Sequence, residues 1–345
     1  MHAAIFEKLG QPLRVERVDD PEPDPDGVVL RVSHCGICGS DLHMTDDAAF
    51  GLCEGDIIGH EFSGEVVATG REVKTLRVGH RVSVVPYRTC GRCAACLAGD
   101  PAWCAQMELA GGGYGEYAAV SARQCVTLPV DASFADGALV EPLAVALHGI
   151  AKAGLRPGQD VLILGAGPIG LATAFWAARF GARRIVVQDV RPTQEARAME
   201  MGATAFVCGR EDPVGDARRA LGGAADVVFE CAGVPGLIAQ SVEVLKPRGT
   251  LLLLGLCTQA DSFVPFAALS KELRIQTSAF FDQREYEAAL DVLASGAAEP
   301  RLLVSAEVGL VELPSMFEQL KRSSPHCKVM IQHADPHTLA HRNPT

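Results

Sequence analysis

A glycine-rich turn between a strand and a helix is the feature that most restricts the fold of this 345-residue chain. The segment VLILGAGPIGLATAFWAARFG holds Gly165, Gly167 and Gly170 in the pattern G-x-G-x-x-G, directly after an apolar strand. Such a turn lets the backbone approach a pyrophosphate closely and directs the N-terminus of the next helix at the phosphates. The pattern therefore predicts a dinucleotide site inside a strand–turn–helix unit.

The chain around this turn alternates apolar strands with helical segments. The helices are predicted at Ile169–Phe180 and Gln194–Met201, each followed by a glycine, which is a usual stop signal. The predicted strands are Val161–Leu164, Arg184–Gln188, Ala205–Val207, Asp226–Glu230, Thr250–Leu254 and Leu273–Thr277. This alternation predicts an α/β fold with a doubly wound, six-stranded parallel sheet.

The two ends of the chain have a different pattern of apolar and turn-forming residues. Short β-like runs separated by Gly, Pro and Asp predict a β-rich N-terminal domain, with strands at Val28–Ser33, Ser63–Thr69, Arg81–Pro86 and Glu116–Val120. The tail is predicted as a helix, a strand, a second helix and a last strand, the three placed elements being Glu285–Ala294, Leu313–Lys321 and Lys328–Gln332. Because the tail is too short to fold alone, we expect one domain from 1–150 and 284–345 and a dinucleotide-binding domain from 151–283. The closing HADPHTLAHRNPT is expected to fray.

The composition argues against several classes of partner. A formal net charge of −11 repels a polyanion, and no block of Lys and Arg offsets it, so nucleic acid is not an expected partner. The N-terminal MHAAIFEKLG lacks the basic and apolar regions of a signal peptide. The longest aliphatic run, Leu251–Leu254, is far shorter than the ~20 residues of a membrane span. We therefore expect a cytoplasmic protein that does not enter membranes.

Four of the twelve cysteines form one compact motif. The segment YRTCGRCAACLAGDPAWC has the spacing C-x2-C-x2-C-x7-C and contains Cys90, Cys93, Cys96 and Cys104. Because reducing cytosol keeps thiols free, such a cluster indicates a metal rather than disulfides. Four thiolates surround a zinc ion tetrahedrally and leave no place for water, so a structural site is predicted. An iron–sulfur cluster is the alternative.

A second polar group lies upstream of this loop. HCGICGSDLH contains Cys35, Cys38, Ser40, Asp41 and His43, and GHEFSG follows with His60 and Glu61. One thiolate, one imidazole and one carboxylate are ligands that zinc accepts, and three ligands leave a fourth position for water or substrate. By spacing alone, the two cysteines could also form a thiol redox pair.

Two further acidic residues bear on the sites. Glu141 in the apolar ALVEPLAVALHGI is either a ligand, a group close behind the ligands, or an exposed glutamate at a helix N-terminus before Pro142. Asp189 in IVVQDV ends the second strand, where a carboxylate accepts hydrogen bonds from the ribose hydroxyls and repels a 2′-phosphate. This position favours NAD over NADP, although Arg191 could help to hold a phosphate.

With these motifs in place, the chain resembles the zinc-containing medium-chain dehydrogenases from Met1 to about Gln332, above all the branch of sorbitol, 2,3-butanediol and threonine dehydrogenases. The supporting stretches are GICGSD, GHEFSG, the four-cysteine loop, LVEPLAVALH, LGAGPIG and FECAGVP. The resemblance implies a GroES-like catalytic domain, completed by the tail, and a Rossmann domain. It also implies a zinc-dependent oxidoreductase that interconverts a secondary alcohol or polyol and its ketone with NAD.

The resemblance assigns the metal ligands. It selects Cys38, not Cys35, for a catalytic zinc, with His60 and Glu61 as the other two ligands. In that branch the glutamate of the EPL segment, here Glu141, lies at the metal and approaches it directly or through water. Each chain would then hold one catalytic and one structural zinc.

The resemblance also assigns the proton path and the coenzyme site. Ser40 and His43 match positions that pass a proton from the substrate hydroxyl to solvent. The coenzyme-binding positions are Gly165, Gly167, Pro168, Ile169, Gly170, Asp189, Arg191 and Cys231.

Alternatives to this function stay open. One is a zinc-free quinone or enone reductase on the same scaffold, which the set of zinc ligands disfavours. The other is a protein that senses NAD(H) without turnover. The segment MTDDAAFGLCEGDIIG carries Asp46, Asp47 and Glu54 and offers no arginine to anchor a carboxylate or phosphate, which favours a neutral alcohol or polyol. Relatives imply a homodimer or homotetramer.

Overall fold

The computed structural model describes residues 1–322 and 324–334. Within this part, the strands are β1 (His2–Ile5), β2 (Arg14–Arg17), β3 (Gly27–Gly36), β4 (Glu61–Thr69), β5 (Arg81–Val84), β6 (Tyr87–Arg88), β7 (Glu108–Leu109), β8 (Tyr117–Ser121), β9 (Cys125–Thr127), β10 (Asp160–Leu164), β11 (Arg184–Asp189), β12 (Ala205–Cys208), β13 (Ala225–Glu230), β14 (Leu245–Leu253), β15 (Arg274–Thr277), β16 (Val304–Val308) and β17 (Lys328–Gln332). The α-helices are α1 (Gly39–Met44), α2 (Ala94–Ala98), α3 (Phe134–Ala153), α4 (Pro168–Arg179), α5 (Glu195–Glu200), α6 (Pro213–Leu221), α7 (Leu237–Val244), α8 (Pro265–Leu269), α9 (Gln283–Ala294) and α10 (Leu313–Arg322).

The chain divides into two compact units. The first contains Met1–Glu141, Asp282–Ala297 and the described residues from Val304 onward, and the second contains Pro142–Phe281 and Ala298–Leu303. The division falls between Glu141 and Pro142, inside α3, and not after residue 150. The segment 298–303, which the sequence placed in the first domain, belongs to the second unit. Arg197 Nε of α5 donates a hydrogen bond to Leu302 O there.

The second unit is built on the predicted parallel sheet. Its strands are hydrogen-bonded in the order β12-β11-β10-β13-β14-β15, and every neighbouring pair is parallel. Strand order therefore reverses between β10 and β13, the point at which doubly wound sheets bind ligands. The strands β10 and β13 are buried along nearly their whole length, which agrees with helices covering both faces. The α/β fold class is confirmed.

A charged group fixes the first residue of β10. Asp160 is buried, and its carboxylate accepts hydrogen bonds from Arg183 Nη2 at 2.5 Å and from Lys246 Nζ at 3.3 Å. Lys246 also contacts Asp226 Oδ2 at 2.9 Å, and this same oxygen accepts from the backbone N–H of Asp160. The hydrogen bond from Arg183, followed by that from Lys246, lowers the pKa of Asp160 against the opposing effect of burial.

This group predicts a pH-dependent contribution to stability. A lowered pKa in the folded state stabilises the fold above the unfolded value of about 3.9, and the stabilisation is lost as pH falls through the lowered pKa. We expect Asp160→Asn to lower the free energy of unfolding by ~1 kcal/mol at pH 7, a modest value because Arg183 is largely exposed. In urea unfolding the difference from wild type should shrink below about pH 4. An equal change in the control Glu211→Gln, or a difference that grows on acidification, would contradict this prediction.

The first unit contains a mixed sheet whose long central strand is β3. The order is β16-β17-β3-β4-β5-β9, and β8 also pairs with β3. This is possible because β3 is ten residues long: its end at residues 34–36 pairs with β17, and residues 27–31 pair with β8. The tail contributes Phe317, Val329 and Ile331 to the apolar core beneath this sheet. Of the closing segment predicted to fray, His333 is buried, and residues 335–345 lie outside the described part.

The helix α3 is long and apolar, and the sequence did not predict it. Within the described residues, α3 alone has the length and hydropathy of a membrane span, but 72% of its apolar window is buried inside the protein. A core helix has this pattern. Its high hydropathy is therefore explained by packing.

Candidate metal centres and dinucleotide site

Three side chains predicted as zinc ligands come together in the first unit. Cys38 Sγ, a ring nitrogen of His60 and a carboxylate oxygen of Glu61 all lie within 4.8 Å of one another. Cys38 is the N-cap residue of α1, and Glu61 opens β4 opposite Gly36 of β3. Glycine is needed at position 36, because a Cβ there would lie 2.1 Å from Glu61 Oε2. The pairing of β3 with β4 thus joins two segments that are distant in sequence.

Asp41 orients the His60 ring. It is fully buried, and its Oδ1 lies 3.0 Å from His60 Nδ1. Burial alone would raise the pKa of Asp41, but the His60 ring and the other donors around the carboxylate lower it, so the group is ionised. An ionised carboxylate can only accept hydrogen bonds, which places the proton of His60 on Nδ1 and leaves the Nε2 lone pair for a metal. Burial opposes protonation of His60, but Asp41 raises its pKa overall and makes Nε2 a stronger donor to a metal.

Glu61 is paired with the buried ammonium group of Lys328 on β17. The Lys328 Nζ donates to both carboxylate oxygens at 2.7 Å and to Ile37 O at 3.0 Å. Burial alone would lower the pKa of Lys328, but the charge of Glu61 raises it, and the ammonium group stays protonated. Loss of one partner from such a pair typically costs ~3–5 kcal/mol, because the other charge stays buried without compensation. The charge that Glu61 could bring to a cation is therefore largely offset by Lys328.

Glu141 is a second buried carboxylate whose charge interacts with this group. Burial raises its pKa to about 7, with the charge of His60 opposing and that of Glu61 adding to the rise. In the described part of the chain no hydrogen bond reaches its carboxylate, although a buried carboxylate requires a partner. The alternative of an exposed glutamate at a helix N-terminus is wrong, because Glu141 is 8% exposed and lies inside α3.

The other cysteine of the upstream motif, Cys35, has a structural role. Cys35 is fully buried in the core of the first unit, and its Sγ contacts Gly36 O at 3.5 Å. Burial, followed by the charge of Asp41, raises the pKa of the Cys35 thiol well above its ordinary value. A thiol in this state is a poor nucleophile, so the geometry disfavours a redox pair with Cys38.

Ser40 and His43 both lie on α1, directly after Cys38. Ser40 is half-buried and His43 is exposed. Residues three apart on a helix share one face, so the order from buried to exposed suits a path to solvent. Within the described residues no hydrogen bond links the two side chains, and their predicted roles as a proton path stay predictions.

The four cysteines of the downstream loop also converge. Their Sγ atoms all lie within 4.8 Å of one another. Cys93 is the N-cap residue of α2, and Gly91 and Gly99 on either side have φ of +68° and +82°, which glycine adopts without strain. Hydrogen bonds from the backbone around Arg92 and Cys93 lower the pKa of Cys90 to about 6. The backbone N–H groups of Cys90 and Gln106 donate to Cys104 Sγ at 3.4 and 3.3 Å.

This cysteine geometry fits a single zinc ion. Tetrahedral ligands at ~2.3 Å from zinc place sulfur atoms about 3.8 Å apart, which agrees with a set confined within 4.8 Å. An iron–sulfur cluster distributes its thiolates over several iron atoms and therefore needs a wider set. Backbone donors to sulfur are also the contacts that stabilise thiolate ligands.

Loss of one thiolate from this loop is expected to destabilise the first unit. We predict that Cys96→Ser loses one zinc per chain and lowers Tm by more than about 5 °C, because structural zinc binding is coupled to folding. Metal analysis and thermal unfolding measure the two effects. The exposed Cys257→Ser is the control. Unchanged zinc content in Cys96→Ser would contradict the prediction.

The glycine-rich turn in the second unit has the geometry of a phosphate-binding turn. Gly165 follows β10 with φ +100°, and a Cβ on Gly170 would lie 1.9 Å from Gly165 O. Gly167 is the N-cap residue of α4, and a Cβ there would meet nothing within 4 Å, which leaves open space in front of the helix. Pro168 takes the first helical position, where a missing N–H costs nothing. Bound pyrophosphate would fit this turn.

Asp189 and Arg191 are tied together beside this turn. Asp189 Oδ1 accepts from Arg191 Nε at 3.0 Å and from its backbone N–H at 2.8 Å. Asp189 Oδ2 accepts from Arg191 Nη2 at 3.0 Å and from Ala166 N at 2.8 Å. Burial opposes ionisation, but the hydrogen bonds from Arg191 lower the pKa of Asp189 overall. Since a carboxylate has about four lone-pair sites, a ribose hydroxyl must compete with Arg191 for Asp189.

A pocket of about 260 Å³ adjoins these residues at the carboxyl ends of β10, β11 and β13. Its lining includes Leu164, Gly165, Asp189, Arg191, Ala232 and Val234. Two other predicted coenzyme residues lie beside the turn: Ile169 is half-buried at the start of α4, and Cys231 N donates to Leu164 O at 2.8 Å. Burial raises the pKa of the Cys231 thiol, which indicates a packing role for its side chain.

Tyr114 and Lys328 were missed as parts of the metal site, and Asp41 was noted in the upstream motif but given no role. Lys328 carried a signal, because a lysine inside the apolar strand KVMIQ must find a buried partner. Asp41 lies within the GSD motif, but only the packed structure places it against His60. Tyr114 carried no signal that distinguishes it from an ordinary core aromatic residue.

Comparisons with known proteins agree with this architecture. Residues 24–130 match the family model for the alcohol dehydrogenase GroES-like domain, and residues 168–295 match that for zinc-binding dehydrogenases. D-xylulose reductase A of Aspergillus clavatus is 34% identical over 89% of this chain and 91% of its own length. Sorbitol dehydrogenase of Bacillus subtilis is 31% identical over 96% of this chain and 97% of its own.

A solved structure gives the same result. A zinc-binding dehydrogenase from Sinorhizobium meliloti 1021, bound to NADP, superimposes with a TM-score of 0.88 at 33% identity and covers 96% of this chain and 98% of its own. Fold, motifs and similarity over most of the length agree. The chain therefore belongs to the zinc-containing medium-chain dehydrogenase family, in the branch that resembles sorbitol dehydrogenase.

Proposed function

We propose that this chain is a zinc-dependent dehydrogenase that interconverts a secondary alcohol or polyol and its ketone with a nicotinamide coenzyme. The observation that carries the proposal is the convergence of Cys38, His60 and Glu61 within 4.8 Å, with Asp41 directing the His60 Nε2 lone pair towards a cation. The polyol dehydrogenases among the relatives support the substrate class. A zinc-free quinone or enone reductase would have no use for this set of ligands.

The protein residues have separate roles in this proposal. Cys38 and His60 hold the zinc together with one carboxylate. Glu61 is the carboxylate inside the 4.8 Å group, but Lys328 already occupies both of its oxygens. We therefore assign the third ligand to the buried Glu141, which is not part of that group and whose carboxylate accepts no hydrogen bond among the described residues. The ion pair of Glu61 and Lys328 then has a structural role beside the ligands. When bound, zinc acts as a Lewis acid that lowers the pKa of a substrate hydroxyl.

Proton release is assigned to two residues of α1, Ser40 and His43. Ser40 accepts the proton of the substrate hydroxyl as its own hydroxyl proton passes to the exposed His43, and an imidazole suits proton release into solvent near neutral pH. The nicotinamide coenzyme, when bound, accepts the hydride. The chain holds the coenzyme through the turn at Gly165–Gly170 and through Asp189, and we propose NAD as the preferred form.

A panel of neutral alcohols and polyols tests the function. With NAD and NADP supplied in parallel, we expect absorbance of the reduced coenzyme at 340 nm with at least one secondary alcohol or polyol, faster with NAD. Removal of the metal with a chelator should abolish the signal, and zinc should restore it. Coenzyme binding without turnover of any alcohol would instead identify a sensor of NAD(H). Turnover that survives removal of zinc would contradict the role of the metal.

We also propose a homo-oligomer, formed through the open edge of the parallel sheet. The edge strand β15 is exposed at all four positions, and its outer backbone groups have no strand beside them in the described part of the chain. In the segment that precedes β15, Phe266 and Leu269 on α8 are each 71% exposed, and Val264 is 67% exposed. An open sheet edge is a template for pairing, and a two-fold axis would set β15 antiparallel to the same strand of a second copy.

Charges placed at this edge test the oligomer. We expect the pair of changes Phe266→Glu and Ile275→Lys to reduce the mass of the particle in size-exclusion chromatography with light scattering. The expected homodimer would become a monomer, and a homotetramer would become a smaller particle. An unchanged mass would place the interface elsewhere.

The cytoplasmic location stays a proposal. It is supported by twelve cysteines that are all free of disulfides, as a reducing compartment requires.

A further inference from the structure

We propose that Tyr114 is a positioning residue for the catalytic zinc, acting through Asp41 on His60. This inference rests on the proposed function, because it assumes that the group of Cys38 and His60 binds the metal. Tyr114 lies beyond the ligands and is not expected to touch zinc, substrate or coenzyme.

The first observation is a chain of hydrogen bonds in the buried interior of the first unit. The hydroxyl of Tyr114 donates to Asp41 Oδ2 at 2.7 Å, and Asp41 Oδ1 faces His60 Nδ1 at 3.0 Å. Tyr114 and Asp41 are both 0% exposed, so water does not replace either partner. Burial and the nearby charge of Asp41 raise the pKa of Tyr114 well above its ordinary value, and the phenol therefore stays a donor.

The second observation concerns how the Asp41 carboxylate is held. Its Oδ2 accepts two hydrogen bonds, from Tyr114 and from the backbone N–H of Cys38 at 3.0 Å. Its Oδ1 is left to His60. A rotation of the carboxylate would break both bonds at Oδ2, so the two donors together fix the direction of Oδ1. One carboxylate thus connects two of the proposed zinc ligands, and Tyr114 restrains it at the oxygen that does not face His60.

The third observation is that Tyr114 is fixed to the segment that leads into His60. Tyr114 N donates to Ile58 O at 3.1 Å, and the ring occupies the space where a side chain at Gly59 would lie: a Cβ there would approach Tyr114 Cδ1 to 2.3 Å. Gly59 has φ +86°, which glycine tolerates. The other side of the ring packs edge-on to Phe317, with centroids 6.3 Å apart. These contacts fix the position of the Tyr114 ring and therefore direct its hydroxyl at Asp41 Oδ2.

The arrangement predicts how the metal responds to loss of the hydroxyl. Outer partners of a metal-ligating histidine typically change metal affinity 10- to 100-fold when removed, and Tyr114 is one bond further from the metal than Asp41. We therefore expect Tyr114→Phe, which keeps the ring and its packing, to weaken zinc binding at the Cys38 site by about tenfold. Zinc in the four-cysteine loop should not change, because that loop makes no contact with Tyr114 among the described residues.

The test is competition between the protein and a chromophoric chelator for zinc, on the full chain. Wild type is expected to release zinc in two steps, and Tyr114→Phe to shift only the weaker-held catalytic step by about tenfold. Tyr117→Phe, a half-buried tyrosine in the same segment, is the matched control and should shift neither step. Cobalt loaded into the Cys38 site gives a second readout, and its visible absorption should change in Tyr114→Phe but not in Tyr117→Phe.

The outcomes separate this inference from the proposed function. If wild type binds zinc at the four-cysteine loop alone, the proposed function itself fails. If wild type binds two zinc ions and Tyr114→Phe releases both as wild type does, with an unaltered cobalt spectrum, the role of Tyr114 is refuted. A parallel loss of both zinc ions together with a lower Tm would also refute it, because the effect would then be general destabilisation.

Discussion

Replacement of Cys38 by serine is expected to lower alcohol oxidation by at least about 10³-fold while the fold stays intact. The thiolate is one of few ligands at the site, and a Lewis-acid metal contributes several kcal/mol to catalysis, with each 1.36 kcal/mol equal to a factor of ten in rate. The fold should tolerate the change, because Cys38 is the N-cap residue of α1 and serine is among the best residues at that position.

The measurements for this variant are kcat/KM, zinc content and Tm. We expect Cys38→Ser to retain one zinc per chain, in the four-cysteine loop, and to unfold within a few degrees of wild type. The control is Cys53→Ser, an exposed cysteine in the segment that leads to His60, which should keep full activity and both zinc ions. Full activity in Cys38→Ser would remove this residue from the site.

Replacement of Asp189 by alanine is expected to change the ratio of kcat/KM for NAD to that for NADP by about 10²-fold or more. Hydrogen bonds to a charged group contribute ~1.5–3 kcal/mol, which the variant loses with NAD. The repulsion between a carboxylate and a 2′-phosphate disappears at the same time. The change also frees the Arg191 guanidinium, which Asp189 otherwise holds through Nε and Nη2, for contact with a phosphate.

The reciprocal variant separates the two contributions. Arg191→Ala should decrease activity with NADP and leave activity with NAD unchanged or slightly improved, because Asp189 then meets the ribose hydroxyls without competition. Steady-state kinetics with both coenzymes measure the ratio. A preference for NAD that persists in Asp189→Ala would show that discrimination lies elsewhere in the pocket.

Periodicity and glycine punctuation predicted the fold well. Most strands of the parallel sheet were placed within a residue or two because each is an apolar run bounded by turn signals, as in Val161–Leu164 against the observed Asp160–Leu164. The exception is β14, which begins at Leu245, before the predicted start at Thr250. The helix α3 was not predicted because Pro142 suggested a helix start, whereas the observed helix carries this proline in its interior. Its alternation of Ala, Leu and Val also has no polar face from which a helical period could be read.

Prediction of the site depended on residue type and spacing. It could therefore find ligands in short motifs but not contacts between distant segments. Thiolates and imidazoles in short motifs are rare enough to indicate ligands, and the four-cysteine loop and the upstream group with Cys35, Cys38 and His60 were singled out in this way. The choice of Cys38 over Cys35 came from the family resemblance. Contacts between distant segments leave no local pattern. The pairing of Lys328 with Glu61 and of Tyr114 with Asp41 follows only once β17 and the residues before β8 have packed beside β3 and β4.

The most direct test of the account is anomalous scattering at the zinc absorption edge from crystals of the wild-type protein. Two peaks per chain are predicted, one among Cys90, Cys93, Cys96 and Cys104, and one between Cys38 Sγ and His60 Nε2. A carboxylate oxygen of Glu141 should be the nearest acidic group to the second peak. A single peak at the four-cysteine loop, from crystals grown with zinc present, would contradict the account.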